Sequence, residues 1–471
     1  MQLYWLPLDK GDLGGCICIV FFWVVFLCYY IIMQEKITEK IVTRFAPSPT
    51  GQFHLGGVRS ALYNYLFAKQ NKGTYILRSE DTDKERSKKE YEDGFLKLFE
   101  WLGLKPDKFF RQSERTEIYK KYLEKMIAED YAYVSKEEIK KEGERGEVIR
   151  FKNPNKKITF NDIILGDITF NTTDLKNFVI AKSLTEPLYH FTVVVDDHEM
   201  AVTHVIRGQE HIANTPRQIL IQEAIGALQP LYAHMPLILG KDRAKLSKRD
   251  PEVIPALEYR DLGYLPEAII NFMALIGWNP GGEQEVFTLS ELIEKFDIHK
   301  IQKSGGVFNS EKLDWLNKEH IKLLSQKEIE KNILEWLPSK MQNPKLVPII
   351  LERINKWGDI KDMVARGELD FFFKQPVYEK EKLIYKNYSS EKIKNNLELA
   401  IKGLGELDEK DFTVENIKNA LMSIADNLES RGEILHPVRF ALSGLDKSPD
   451  PFIIAEILGK NETLSRLQKA I

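Results

Sequence analysis

Two short stretches of the chain hold residue types that can do chemistry together. The first is "RFAPSPTGQFHLGG", Arg44 to Gly57. Pro47 and Pro49 stop any extended run there, because proline lacks the N–H that a central strand donates. Gly56 and Gly57 open the next helix, and their missing Cβ atoms let a flat base or ribose lie against its backbone. The free N–H groups and positive end of a helix suit phosphate, and His54 stands where it can hydrogen-bond a phosphate oxygen. The pattern fits a nucleotide, although a histidine before glycines is equally the form of a plain structural turn. The second stretch is "KDRAKLSKRD", with Lys245, Lys248 and Arg249 around Ser247. Cations on a loop can neutralise the charge that builds on a triphosphate during displacement at its α-phosphorus. The same run also reads as an ordinary solvated surface.

These residues need elements to hold them. Ile41–Phe45 reads as a short apolar strand. "GGVRSALYNYLFAKQNKG" carries Val58, Leu62, Tyr65, Leu66 and Lys69 at helical spacing and stops at Gly73. "TYILRSED" reads as the next strand and "SKKEYEDGFLKLFEWLGL" as the next helix. Strand, helix and strand in that order predict a parallel sheet, whose ligands sit beyond the carboxyl ends of the strands. Residues 33–112 are therefore expected to form the first half of a catalytic domain. Residues 113–188 break the rhythm with a helix at Arg115–Glu129, the charged "SKEEIKKEGERGEV" and short strands around Ile158–Phe170, as an insertion would. The alternation resumes over residues 189–240. Residues 241–326 are mixed, and residues 327–471 are almost wholly amphipathic helix. The expected fold class is α/β: a Rossmann-like doubly wound parallel sheet, an inserted α+β segment and an all-α C-terminal region.

Composition sets the outer bounds. The chain has 471 residues, 43% hydrophobic and 29% charged, which excludes wholesale disorder. Its net charge is −3, so a nucleic-acid partner must be held by a local basic patch rather than by global attraction. The cysteines are Cys16, Cys18 and Cys28. Beyond them there is neither a disulfide framework nor a cysteine-based zinc site, which fits a reducing cytoplasm. "GGCICIVFFWVVFLCYYIIM" is long enough to span a bilayer but lacks the basic n-region and small-residue cleavage site of a secretory signal. Residues 1–32 are thus expected either as an anchor, the sole source of membrane contact, or as a start misassigned upstream of Met33. The soluble-looking "MQEKITEKIVTRF" favours the second reading.

Taken together, the histidine–glycine turn and the Lys-Ser-Lys loop resemble the two signature motifs of class I aminoacyl-tRNA synthetases. "LRSEDTD", "RQSER", "VVVDDHEMAVTHVIRGQEHIANTPRQI", "HMPLILG", "YLPEAIINFMALIGWNP" and "HPVRFALSG" narrow the resemblance to the glutamyl-tRNA synthetase family. It covers essentially residues 37–471.

That resemblance implies a glutamate–tRNA ligase. Glutamate would be activated by ATP, with Mg²⁺ bridging phosphates, and passed to the terminal adenosine of tRNA(Glu). It implies that His54, Lys245 and Lys248 are catalytic and that Gly56, Gly57 and Ser247 join them around ATP. It implies a glutamate pocket of Arg44, Ala46, Ser48, Glu80, Tyr189 and Arg207, with Glu80 receiving the ammonium. The residue types agree, since a dicarboxylate substrate calls for two cations and a carboxylate suits the fork of arginine. Residues 113–188 would hold the acceptor end, 241–326 the stem contact and 327–471 the anticodon. Charging of tRNA(Gln) is left open, and a cytoplasmic monomer is expected. Lys380, Lys382, Lys386, Lys392 and Lys394 can contact phosphate, but the interleaved Glu379, Glu381 and Glu391 favour a solvated face.

The chain also departs from the family pattern. Val193 stands where some members carry asparagine and others valine, and Asp250 replaces the usual histidine after the Lys-Ser-Lys-Arg run. No cysteine accompanies "YAYVSKEE", so no zinc is expected. Asp196–His198 is expected as a structural turn beside the pocket rather than a metal triad. The nearest rival is glutaminyl-tRNA synthetase, whose resemblance implies a β-barrel anticodon region where this chain reads as helix. A small-molecule nucleotidyltransferase has no use for the C-terminal helices, and an inactive membrane-tethered module has no use for His54, Lys245 and Lys248.

Overall fold

The structure is a computed structural model that describes residues 40–139, 146–246 and 254–471. Residues 1–32, Ser247, Lys248, Asp250 and the centre of the charged stretch lie outside the described residues. The chain divides into two compact units, one running through Arg260 with Pro266–Leu316, the other Asp261–Leu265 with Asn317–Ile471.

In the first unit, β1 (Val42–Phe45) starts in the middle of a sheet. Helix α1 (Leu55–Gln70) carries the chain to β2 (Thr74–Ser79), and α2 (Lys89–Trp101) carries it to β3 (Lys108–Arg111). α1 holds because Val58, Leu62 and Leu66 repeat along its inner face and are wholly buried, each stabilising by about 1.5–3 kcal/mol. Helix α3 (Thr116–Ala128) follows, then β4 (Ala132–Lys136), β5 (Glu147–Phe151), β6 (Lys157–Asp162), β7 (Gly166–Asn171), β8 (Val179–Ser183) and β9 (Glu186–Pro187). After α4 (Tyr189–Glu199) come β10 (His204–Gly208), α5 (Thr215–Ile225) and β11 (Leu231–Met235).

The spatial order is β3-β2-β1-β10-β11-β6-β7. Every pairing is parallel except that of β6 with β7. A second sheet, β4-β5-β8-β9, is antiparallel. The segment expected as an insertion therefore splits: β6 and β7 complete the main sheet, and the rest builds its own. Both parts share one core, in which Tyr119 and Leu123 of α3, Phe151 of β5 and Phe160 of β6 pack with Phe191 of α4 and Ile221 of α5.

The second unit is helical, with no strand from residue 317 onward. Helices α6 (Gln326–Trp336), α7 (Val347–Arg353) and α8 (Asp359–Ala365) enclose Ile333, Ile350 and Ile360. Helices α9 (Ser390–Gly405), α10 (Val414–Ala425), α11 (Gly432–Ser443), α12 (Pro451–Leu458) and α13 (Lys460–Ala470) enclose Leu397, Leu421, Val438 and Leu467. Ser325 and Glu328 close a reciprocal cap at the start of α6. Lys392 pairs with buried Glu433 at 3.0 Å, so that lysine already has an acidic partner. Among the described residues no helix is long and apolar enough to cross a membrane.

Candidate active site

The strand order reverses between β1 and β10: β2 and β3 extend one side, β11, β6 and β7 the other. The crevice outside the carboxyl ends of two such strands is where open α/β sheets bind ligands. A cavity of about 300 Å³ lies there. Arg44 from β1, with Ala46 and Ser48 just after it, forms one wall. Glu80, directly after β2, and Arg207, near the end of β10, form another. Tyr189, the first residue of α4, and the glycine pair in the first turn of α1 complete it.

Other residues named from the sequence lie elsewhere. His54 directly precedes α1, where its carbonyl accepts the Gly57 and Val58 N–H groups at 3.0 and 3.4 Å, and it does not line the cavity. Lys245 is exposed at the end of a tight turn closed by Gly240 N–H on the Ala244 carbonyl at 2.9 Å. Ser247 and Lys248 lie outside the described residues. Glu210 and His211 line the cavity and were not singled out from the sequence. Their signal was present, in the polar "GQEH" that ends an apolar strand.

The two glycines do different work. A Cβ on Gly56 would meet open space, whereas one on Gly57 would overlap the Phe53 ring. That ring makes edge contacts with Phe45 at 5.8 Å and Phe99 at 5.4 Å. Gly57→Ala is therefore expected to cost about 1–3 kcal/mol by overpacking and Gly56→Ala to leave the fold intact. Thermal unfolding of the two variants checks this, and equal midpoints would refute it.

Behind the cavity lies a buried ion-pair network. The Arg44 Nε–H donates to Asp197 Oδ1 at 3.2 Å, and Arg78 Nη1 donates to the same oxygen at 2.8 Å. Arg78 Nη2 donates to Glu80 Oε1 at 3.1 Å, and Arg78 Nε stands 3.6 Å from Asp196 Oδ2. Arg115 Nε donates to Asp196 Oδ1 at 2.7 Å. Gln112 and the Tyr119 hydroxyl donate to Asp196 Oδ2 at 2.9 and 2.8 Å. Asp196–His198, expected as a turn, instead belongs to the last part of helix α4. The preceding valines bury in the core, and the helix delivers Asp196 and Asp197 to the arginines.

The charges set one another. Burial pushes the Asp197 carboxyl up, but Arg44 and Arg78 more than reverse this and hold it below the usual carboxylate range. Burial pushes Glu80 up, and Arg78 and Arg44 offset that only in part. Tyr189 is raised by burial and then by Glu80.

Arg207 is different. It is 6% exposed, and among the described residues no carboxylate pairs with it. Its Nε–H donates to His234 Nε2 at 3.1 Å and its Nη2 to Thr215 Oγ1 at 2.9 Å. Its Nη1 is buried with no hydrogen-bond partner. Burial lowers its pKa. Leaving a buried cation uncompensated is costly, a cost that an anion beside it would offset. Beside it, Glu80 offers a negative group to a cation.

Comparison with known proteins places this arrangement. Residues 40–147 and 134–315 match the family model for the catalytic domain of class I tRNA synthetases (E and Q), and residues 310–471 match that for an anticodon binding domain. The chain is 40% identical to glutamate–tRNA ligase 1 of Petrotoga mobilis, over 92% of this chain and 97% of that one. It is 37% identical to glutamate–tRNA ligase 2 of Fervidobacterium nodosum, over 93% and 98%. The crystal structure of a glutamate tRNA ligase from Elizabethkingia meningosepticum in complex with its amino acid superposes with a TM-score of 0.81 at 34% identity, covering 92% of this chain and 99% of that one. With an unneutralised arginine and a carboxylate at the switch point of its sheet and a helical unit after it, the chain belongs to the glutamate–tRNA ligase family of class I tRNA synthetases.

Proposed function

We infer that the protein joins L-glutamate to tRNA(Glu) at the expense of ATP. The observation that carries this reading is Arg207, which no carboxylate among the described residues neutralises and which lines the same cavity as Glu80. Arg207 receives the substrate's side-chain carboxylate, with Arg44 nearby but already shared with Asp197. Glu80 receives the ammonium, whose charge favours the ionised form that burial alone disfavours. Ala46, Ser48 and Tyr189 shape the pocket around the amino acid.

Once held, the α-carboxylate attacks the α-phosphorus of ATP, one P–O bond forms and pyrophosphate leaves. Gly56 keeps open the cavity beside the first turn of α1, where the helix end and its free N–H groups suit an anionic ligand. His54, Lys245, Ser247 and Lys248 attend the triphosphate. The terminal 2′-hydroxyl of tRNA then attacks the activated carbonyl and AMP leaves. Residues 113–188 hold the acceptor end, and the helical unit reads the anticodon, whose unstacked bases are open to side chains.

Among the described residues no three His, Cys, Asp or Glu side chains converge as a metal-ligand set. Mg²⁺ would arrive with ATP and would supply neutralisation of the charge on its phosphates. We also propose that no zinc is bound, since every cysteine lies within the first 28 residues. Elemental analysis of purified protein is expected to find none in stoichiometric amount. Zinc at one per chain, lost together with activity on chelation, would overturn this.

Aminoacylation of purified tRNA(Glu) and tRNA(Gln) with glutamate and with glutamine tests the whole reading. Glutamate on tRNA(Glu) is expected, and glutamate on tRNA(Gln) would mark a broader acceptor range. Preference for glutamine, or no transfer to either tRNA, would refute the assignment.

A further inference from the structure

Arg207 is held by a chain of buried groups that runs across three adjacent strands. Arg207 of β10 and His234 of β11 are register partners, and Tyr232 of β11 pairs with Asp162 of β6. Asp162 and His234 are 1% and 0% exposed. Asp162 Oδ1 accepts the Ile164 and Leu165 N–H groups at 3.0 and 2.9 Å. Its Oδ2 accepts the His234 backbone N–H at 3.0 Å and faces His234 Nδ1 at 2.6 Å.

The direction of every proton follows. Asp162 is held below the usual carboxylate range: burial raises it, but His234 and backbone N–H groups outweigh that. An ionised carboxylate only accepts, so His234 carries its proton on Nδ1. The ring is neutral, since burial first and then the Arg207 and Arg44 charges lower its pKa against the opposing pull of Asp162, and Nε2 is left as a lone pair. Arg207 Nε can only donate, and that lone pair is what it meets at 3.1 Å.

This way of holding an arginine differs from the network beside it. Arg44 and Arg78 are fixed by carboxylates, which cancel their charge. Arg207 is fixed by a neutral ring and a hydroxyl, so its orientation is locked while its charge stays available to a ligand. A carboxylate in the place of His234 would compete with the substrate.

We propose that Asp162 and His234 are positioning residues that, by setting the His234 tautomer, fix the orientation of the Arg207 guanidinium for the substrate carboxylate and so set the selectivity for glutamate over glutamine. The inference rests on Arg207 being the partner of that carboxylate.

Asp162→Asn is the decisive variant. If the new amide keeps its oxygen on Ile164 and Leu165, its NH₂ faces the imidazole and donates to Nδ1. The proton must then sit on Nε2, where it faces the Arg207 Nε–H at 3.1 Å and the Thr215 hydroxyl at 3.3 Å, and only the hydroxyl can accept it. Imidazole-nitrogen NMR of protein carrying ring-15N histidine is expected to show the Nδ1–H form in the parent and the Nε2–H form in the variant. With tRNA present, the glutamate KM is expected to rise at least tenfold, with the ATP KM and the glutamine kcat/KM little changed. His234→Gln, which keeps an acceptor, is expected to retain more of the glutamate preference than His234→Leu; this pair still decides the matter if Asp162→Asn misfolds. A folded Asp162→Asn with parental glutamate KM, or equal preference in the two His234 variants, would overturn the inference and leave Arg207 in its role. If Arg207→Gln itself leaves the glutamate-to-glutamine ratio unchanged, the underlying reading of Arg207 fails, and this inference with it.

Discussion

Replacing Arg207 by glutamine is expected to lower kcat/KM for glutamate by about 10²-fold or more while damaging glutamine use far less. A charge-assisted bond in a partly dry pocket is worth about 1.5–3 kcal/mol, and each factor of ten in rate corresponds to about 1.4 kcal/mol. Among the described residues no carboxylate neutralises Arg207 in the cavity wall, whereas Arg44 is shared with Asp197, so Arg207 has the most to gain from a substrate carboxylate. Glutamine aims an amide whose NH₂ cannot accept from a cation, and the mismatch leaves polar groups unpaired. Such unpaired groups allow strong discrimination without an editing step. Steady-state kinetics with both amino acids, tRNA present, read the ratio directly. An unchanged ratio would assign Arg207 to the tRNA end or to the fold alone.

The largest stability effect is expected from Arg78→Met. Arg78 is wholly buried and faces Asp197, Asp196 and Glu80 together. Removing one partner from a buried ionic cluster costs about 3–5 kcal/mol, because the remaining charges stay desolvated. For a unit of this size that corresponds to a fall in thermal midpoint on the order of 10 °C. The pH dependence has a definite sign. Asp197 is held below its ordinary range by Arg44 and Arg78, so it contributes stability that is present above its unfolded value and lost as pH falls through its folded one. Without Arg78 much of that contribution is gone. The gap between parent and variant is thus widest near neutral pH and closes as the pH falls below about 4, where an unfolded aspartate takes up its proton. Thermal scans at several pH values check this, and a gap independent of pH would show that lost packing, not lost charge, is responsible.

The site was legible where chemistry and strand ends coincide. Arg44 and Arg207 lie near the carboxyl ends of β1 and β10 and Glu80 just beyond β2, and a strand followed by a polar break gives that position away. What supports them was not legible. Arg78 stands two residues before Glu80, inside a strand otherwise read as apolar, and its partner Asp197 lies 119 residues away. No local pattern couples the two. Asp162 and His234 meet only because β6, in the segment expected as an insertion, completes the main sheet beside β11. Strand neighbours of that kind follow from topology rather than from periodicity. The helical unit was easier, since amphipathic spacing and caps such as Ser325 with Glu328 are written within a few residues of where they act.

The strand order also fixes a schedule. β1 is made early, yet the neighbour that completes it, β10, lies some distance along the chain: Val42 donates to Thr203, 161 residues later. At about 5–20 residues per second, a ribosome needs about 8–32 s to cover that span. Throughout that interval β1 keeps one open edge, a form that invites pairing with the wrong strand. On the other flank, β6 and β7 are close in sequence and pair with each other, while β11, which joins them to the sheet, is made later. The cavity lies on the seam between β1 and β10, the strand that is made later. Chains halted before residue 204 lack Arg207 and the strand that carries it, so they are expected to hold chaperones rather than substrate.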